Sequence, residues 1–441
     1  MPKLEKKLTL YGLTMIAIGG CIGSGIFATP NGVIQEVPHH GLALLVWAIG
    51  GLIALTGALT FAELGGMFPR AGGVYVYIKE AYGKLAGFLY GWVILLVINT
   101  GALAALSVVF ADYMQFFIPD MTETRKTVLA IVTIAGLTGI NMIGVNISQF
   151  FTNLFSGLKL AAIGGIIIAG VVFYEPANVN IELFDTSNAA LPDNLIGAML
   201  VGLIGVLWSF GGWHHASYLA GETKNAEKTV PRAMILGVTI VTVVYLLANI
   251  AYMLLMPLPA IAASGAVAGD ALQAVTPIGG KIAAVIIAIS IFGTIGIYTM
   301  SAPRIYFAMA KDGVFFPALA KIHDRFRTPL NAMAVQAIWA IILLLLWKTF
   351  QDLITYVTFM DIAFMTLAGF SVFVFRKRMP DAERPYHVFL YPIVPAIFVL
   401  ISTAFVISTL VQKPEQAWAG VIVLGLGLVA YFFFQRLNRE G

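Results

Sequence analysis

Three features of this 441-residue chain could do chemistry. The run Gly19-Gly20-Cys21-Ile22-Gly23-Ser24-Gly25 and the pair Gly211-Gly212 each interrupt an apolar stretch, and Lys159 lies inside a third. Glycine is a poor helix residue, so a helix that reaches either run is expected to break. A broken helix leaves unpaired N–H groups on one half and unpaired carbonyls on the other. In hydrocarbon such groups must find partners or line a wet cavity. The amides at Ser24, Gly25 and Ile26 would attract an anion such as a carboxylate. The carbonyls near Gly20, Cys21, Trp208 and Ser209 would attract a cation such as an ammonium. A site with both suits a zwitterion, such as an α-amino acid. Glycine also admits close approach to the backbone, although tight helix packing is the competing use.

Other chemistry is missing from the pattern. There is no phosphate-cradling glycine loop, no metal-spaced His/Cys cluster and no Ser-His-Asp set, so neither ATP drive nor a cofactor is expected. Cys21 is the single cysteine; it reads as a small pocket-lining residue. His214 and His215 read as structural.

These residues must be positioned by membrane helices. The chain is 59% hydrophobic and only 11% charged, against about 25% charged in soluble domains. A helix needs ~20 apolar residues to cross the hydrocarbon. Twelve such runs are predicted, at 11–33, 41–66, 85–112, 127–143, 148–174, 195–220, 232–256, 279–308, 330–347, 352–375, 386–411 and 416–435. With both termini in the cytoplasm, most of the 26 Lys and Arg residues fall in inside loops, as the positive-inside rule requires. Residues 1–440 read as one all-α transmembrane domain. The two glycine breaks lie five spans apart, and five is odd, so the second five-span set enters from the opposite face. That predicts a five-plus-five inverted repeat, about 10–175 and 193–376, with unwound first and sixth spans and two extra spans at 386–436. Paired interruptions of this kind point to the binding site.

Lys159 lies eleven residues past Ser148, about 16 Å into the membrane at the helical rise. A lysine there costs ~3 kcal/mol to insert, so function is its default reading.

The residues also resemble a known family. Ile22-Gly23-Ser24-Gly25-Ile26-Phe27, the stretch Ala62 to Tyr75, and Arg304 through Asp312-Gly313 to Thr328-Pro329 look like signatures of the amino acid–polyamine–organocation superfamily. Ser209-Phe210-Gly211-Gly212-Trp213 and Val243 to Asn249 are similar to the L-type amino acid transporters. The resemblance implies the leucine-transporter fold and a sodium-independent exchanger of neutral L-amino acids in the plasma (bacterial inner) membrane. It implies that Ser24 and Gly25 hold the substrate carboxylate, and that the carbonyls of Cys21, Trp208 and Ser209 hold the amine. Gly20, Gly23, Ile26, Phe210 and Gly211 complete the expected substrate-binding set. Trp208 would shut the site from outside. Lys159 would bridge the first and eighth spans where sodium-coupled relatives bind their ion. Tyr245 would reach toward the first break or the fifth span.

There are departures. His214-His215 follow Trp213 where animal members tend to carry asparagine, and Tyr298 stands where a small hydroxyl residue is often found. The loop Tyr113 to Lys126 has no cysteine, so no disulfide-linked heavy chain is expected. Glu63 and Glu222, near basic loops, read as gate or loop pairs. Asp361 is expected to be buried. No acidic residue is expected near either break, which argues against cationic substrates. Trp208 narrows the site toward alanine, serine or cysteine. A proton-coupled or cationic amino acid/polyamine symporter on the same fold stays open, as does a membrane enzyme or sensor. Nucleic acid is excluded, since the bases sit between apolar runs.

Overall fold

The computed structural model describes residues 3–118, 120–176, 183, 191–346, 350–412 and 414–440; the side chains of 350–356, 412–419 and 437–440 are left aside. The expected end of a span at Trp347 thus lies outside the described residues. Among the described residues the chain is helical and has no strand, only one isolated bridge between Leu8 and Thr223.

The chain opens with α1 (Leu10–Cys21), α2 (Gly25–Ala28), α3 (Pro30–Glu36) and α4 (His40–Met67). Then come α5 (Val74–Tyr82), α6 (Lys84–Val93), a π-helical turn at Ile94–Ile98, α7 (Asn99–Met114), α8 (Glu123–Met142) and α9 (Val145–Val172). After them run α10 (Leu195–Ser209), α11 (His215–Tyr218), α12 (Ala226–Leu255), α13 (Leu258–Ala263), α14 (Val267–Gln273), α15 (Gly279–Ser301) and α16 (Pro303–Lys311). The chain ends with α17 (Leu330–Leu346), α18 (Phe350–Arg378), α19 (Ile393–Gln412) and α20 (Pro414–Glu440).

Among the described residues, eight helical segments are long and apolar enough to cross a membrane, and Leu195–Ser209, Leu330–Leu346 and Gly420–Arg436 are shorter apolar helices. Their patterning is that of a protein dissolved in lipid. On α9 the buried stripe holds Ser148, Thr152, Ser156 and Lys159, while Phe150, Leu154, Ile168 and Val171 face outward. Polar groups inside and apolar ones outside invert the arrangement of a soluble helix.

Two of the expected boundaries move for proline. The predicted 279–308 run divides into α15 and α16 at Pro303, which has no amide to continue the ladder. The run predicted from 386 becomes helical only at Ile393, after Pro392. The peptide before it, from Val388, is held instead by its amide on Glu63 Oε2 at 2.8 Å.

The elements that matter for function pack around α1. α12 lies against α4, α1 and α9, and α15 lies against α7, α9 and α1.

Candidate functional site

The first apolar segment is interrupted at Ile22–Ser24. α1 ends at Cys21, α2 starts at Gly25, and only Thr29 separates α2 from α3. The second interruption is wider than the glycine pair suggested: α10 stops at Ser209, and residues 210–214 cross as turns before α11. The breaks meet back to back. A Cβ on Gly20 would stand 2.7 Å from the Gly212 carbonyl oxygen, and one on Gly212, whose φ is +101°, 2.4 Å from that of Gly20. A Cβ on Gly25 would meet Ser209 Oγ at 2.4 Å. At these positions glycine serves close backbone approach; at Gly23 the nearest atom is 3.8 Å off, so there is room.

The loosened groups of the first break are met by side chains from three helices. Lys159 Nζ, fully buried, donates to Gly19 O at 2.8 Å, Ile22 O at 2.7 Å and Thr294 Oγ1 at 2.7 Å. Those three bonds use all the donors of an ammonium. From α15, Ser290 Oγ donates toward Ile22 O and Gly23 O, both at 3.1 Å, and Thr294 Oγ1 lies 3.1 Å from Gly19 O and Ile22 O. From α12, the Tyr245 hydroxyl shares its proton between Cys21 O at 3.0 Å and Ser209 O at 2.9 Å. Tyr245 therefore ties the two breaks together. The Cys21 carbonyl also receives the Gly23 amide at 2.8 Å. Both its lone pairs are engaged, so it is a poorer ammonium acceptor than expected. Trp208 O receives the Gly211 amide at 3.0 Å.

A cavity of about 120 Å³ opens between the breaks. Gly20, Cys21, Gly23, Ser24 and Gly25 line it from one side, and Trp208, Ser209, Phe210 and Gly211 from the other. Lys159, Tyr245 and Ile26 do not line it; they are buried behind the wall. Trp208 is half-buried at its edge. Phe210 packs on Tyr245 at 5.1 Å and on Trp47 at 6.3 Å. His214 and His215 line the cavity; His215 stacks on Tyr298 at 4.2 Å, and its Nδ1 lies 2.5 Å from Ser301 Oγ.

Several participants escaped the sequence reading. Ser290 and Thr294 sit eight and four residues before Tyr298 on one helix face, so α15 carries its small hydroxyls two turns and one turn earlier than the expected position. The π-helical turn contributes Ile94 and Ile98 to the wall, and such turns recur at functional sites. Asp361 lines the same cavity. That corrects the expectation that no acidic residue stands near a break: α18 packs against α4, α7 and the π-helical turn, and so brings Asp361 in from far along the chain. Glu63 and Glu222 stand apart from the cavity in two-point arginine pairs. Arg376 bonds Glu63 at 2.8 and 2.7 Å, and Arg304 bonds Glu222 at 2.8 Å twice.

Broken apolar helices around a small cavity are an arrangement that suits a membrane transporter. The comparisons with known proteins agree. The amino acid permease family model matches residues 8–432. The serine/threonine exchanger SteT of Bacillus subtilis is 33% identical over 434 residues, covering 97% of each chain. The human large neutral amino acids transporter small subunit 2 is 32% identical, over 97% of this chain and 80% of that one. The human Asc-type amino acid transporter 1 is 31% identical, over 97% and 82%. This chain belongs to the amino acid permease family.

Proposed function

We propose that the chain is a sodium-independent exchanger of small neutral L-amino acids that works by alternating access. The observation that carries this is the Lys159 ammonium. It supplies, from within the fold, the donors that join the α1 break to α15. A transporter with a built-in cation at this junction has no need of a bound sodium ion there. The amides of Ser24 and Gly25 offer donors for a carboxylate and the second lone pair of Ser209 O an acceptor for an ammonium, and the small cavity favours short side chains. The names of the relatives, a serine/threonine exchanger and neutral amino acid transporters, point the same way.

In this reading the chain has twelve spans, ten of them in a five-plus-five inverted repeat, with both termini in the cytoplasm of a plasma membrane. The matching breaks after α1 and α10, five spans apart, support it. The chain works without a disulfide-linked partner, because its single cysteine, Cys21, is buried beside the cavity. Asp361 in the cavity wall favours a second reading, a proton-coupled or cation-selective symporter.

Proteoliposomes separate the two. Uptake of labelled serine or alanine should require internal amino acid and proceed without sodium or a pH gradient. Uptake into empty vesicles driven by external acid would establish the second reading instead, and strict sodium dependence would refute both.

A further inference from the structure

We propose that Asp361 is the side-chain subsite of the cavity, a carboxylate acceptor that selects short α-amino acids bearing a hydroxyl over aliphatic ones of the same shape. The proposal rests on the amino acid reading above and adds which side chain the site takes.

Asp361 lies at mid-span on α18 and shares the cavity with both helix breaks. Its Oδ1 is buried and has no hydrogen-bond partner among the described residues. The other buried carboxylates of the bundle, Glu63 and Glu222, each have a two-point arginine pair. A carboxyl group left unmatched inside a membrane protein is costly and marks a functional site by default.

The phenols within electrostatic reach of Asp361 are those of Tyr90, Tyr218 and Tyr298. Tyr90 and Tyr218 bond each other through their hydroxyls at 2.7 Å. Tyr298 is stacked on His215. The bond between Tyr90 and Tyr218 uses one of their two phenol protons, but none of the three phenols bonds Asp361 Oδ1, so the acceptor is open to a donor that enters the cavity.

A zwitterion leaves few candidates for that donor. Its carboxylate is served by the amides at Ser24 and Gly25, and its ammonium by the carbonyl at Ser209. What remains is the side chain. A volume of about 120 Å³ suits a short one. A hydroxyl donates to the carboxylate; a methyl in the same place keeps the carboxylate unmatched. A site built to bond a substrate hydroxyl rejects the analogue that lacks it much more strongly than an apolar slot rejects an extra methylene.

The test uses pairs of equal shape in proteoliposome exchange, serine against 2-aminobutyrate and threonine against valine. The wild-type chain should favour the hydroxyl member by about tenfold or more in kcat/KM, the scale of a hydrogen bond to a charged group. In Asp361→Leu the preference should fall to about threefold or less. In Asp361→Asn part of it should survive, because the amide oxygen still accepts. An unchanged preference in Asp361→Leu, or none in the wild type, overturns the proposal. So does an equal fall of both members of a pair in Asp361→Asn, which would assign the carboxyl to the ammonium or to a proton. A 2,4-diaminobutyrate that outcompetes serine through Asp361 overturns it as well. If Asp361→Leu does not fold, the wild-type ratio and Asp361→Asn still decide. A wild-type chain that exchanges no amino acid brings down the functional reading itself, a result unlike any of these.

Discussion

The two helix breaks are built alike in backbone and unlike in support. At the first, the carbonyls of Gly19, Cys21, Ile22 and Gly23 all receive side-chain or backbone donors, from α9, α12, α15 and the break itself. At the second, the support from outside is the Tyr245 proton on Ser209 O, the bond between Ser209 Oγ and Thr29 Oγ1 at 3.1 Å, and the weak thiol donor of Cys21 on Phe210 O at 3.5 Å. The remainder is local turn bonding, such as the His215 amide on Gly212 O at 3.1 Å. A backbone tied to three helices cannot move without breaking charge-assisted bonds, whereas one tied mainly to itself can repack. On this contrast we propose that the first break is the fixed frame of the site, and the second, with Trp208 beside it, the part that gates.

The largest effect that would sharpen this contrast is at the point where the breaks touch. Gly212→Ala puts a methyl 2.4 Å from the Gly20 carbonyl oxygen at a φ of +101°. Strain and clash together should cost ~3 kcal/mol or more. Folded yield should collapse, or the melting temperature fall steeply in a fluorescence-monitored scan; a normal melt would show that the breaks do not need their close crossing.

Lys159→Ala comes next. Two bonds from a charged donor to backbone carbonyls disappear, each worth ~1.5 kcal/mol or more. That converts to about a hundredfold loss of exchange rate if the bonds are needed for turnover. Ser290 and Thr294 still cover Gly19 O and Ile22 O, so the protein should fold and still bind substrate. Exchange within about threefold of wild type would remove Lys159 from the mechanism and with it the idea of a fixed frame.

How much of this could be read beforehand depends on how local each signal is. The breaks are legible because glycine acts on its own helix. Lys159 is legible because a charge in an apolar run stands out against its own neighbours. Ser290 and Thr294 are not, since hydroxyls are common in membrane helices and satisfy themselves on the preceding turn, as Thr294 does on Ser290 O at 3.1 Å. Their meaning lies in what they face. Asp361 was visible as a buried acid, yet its distance from the breaks in sequence hid that α18 delivers it to the same cavity. Pro303 and Pro392 were likewise visible, but hydrophobicity alone ran the predicted spans through them.

Tyr245→Phe tests the link between the frame and the mobile part. The ring can stay packed against Trp47 at 5.7 Å and Phe210 at 5.1 Å, so the melt should change little. The lost proton leaves Ser209 O without its partner from α12, while Cys21 O keeps the Gly23 amide. One buried carbonyl short of a donor costs ~1–2 kcal/mol, which predicts about a tenfold fall in kcat/KM for exchange. If the frame is fixed, the loss falls on the second break alone. Gly23→Ala, on the frame itself with 3.8 Å to spare but on the cavity wall, should then raise KM yet change the turnover rate of exchange by less than about threefold. A larger loss of turnover at Gly23 than at Tyr245, measured in the same vesicles, would reverse the assignment and make the first break the moving one.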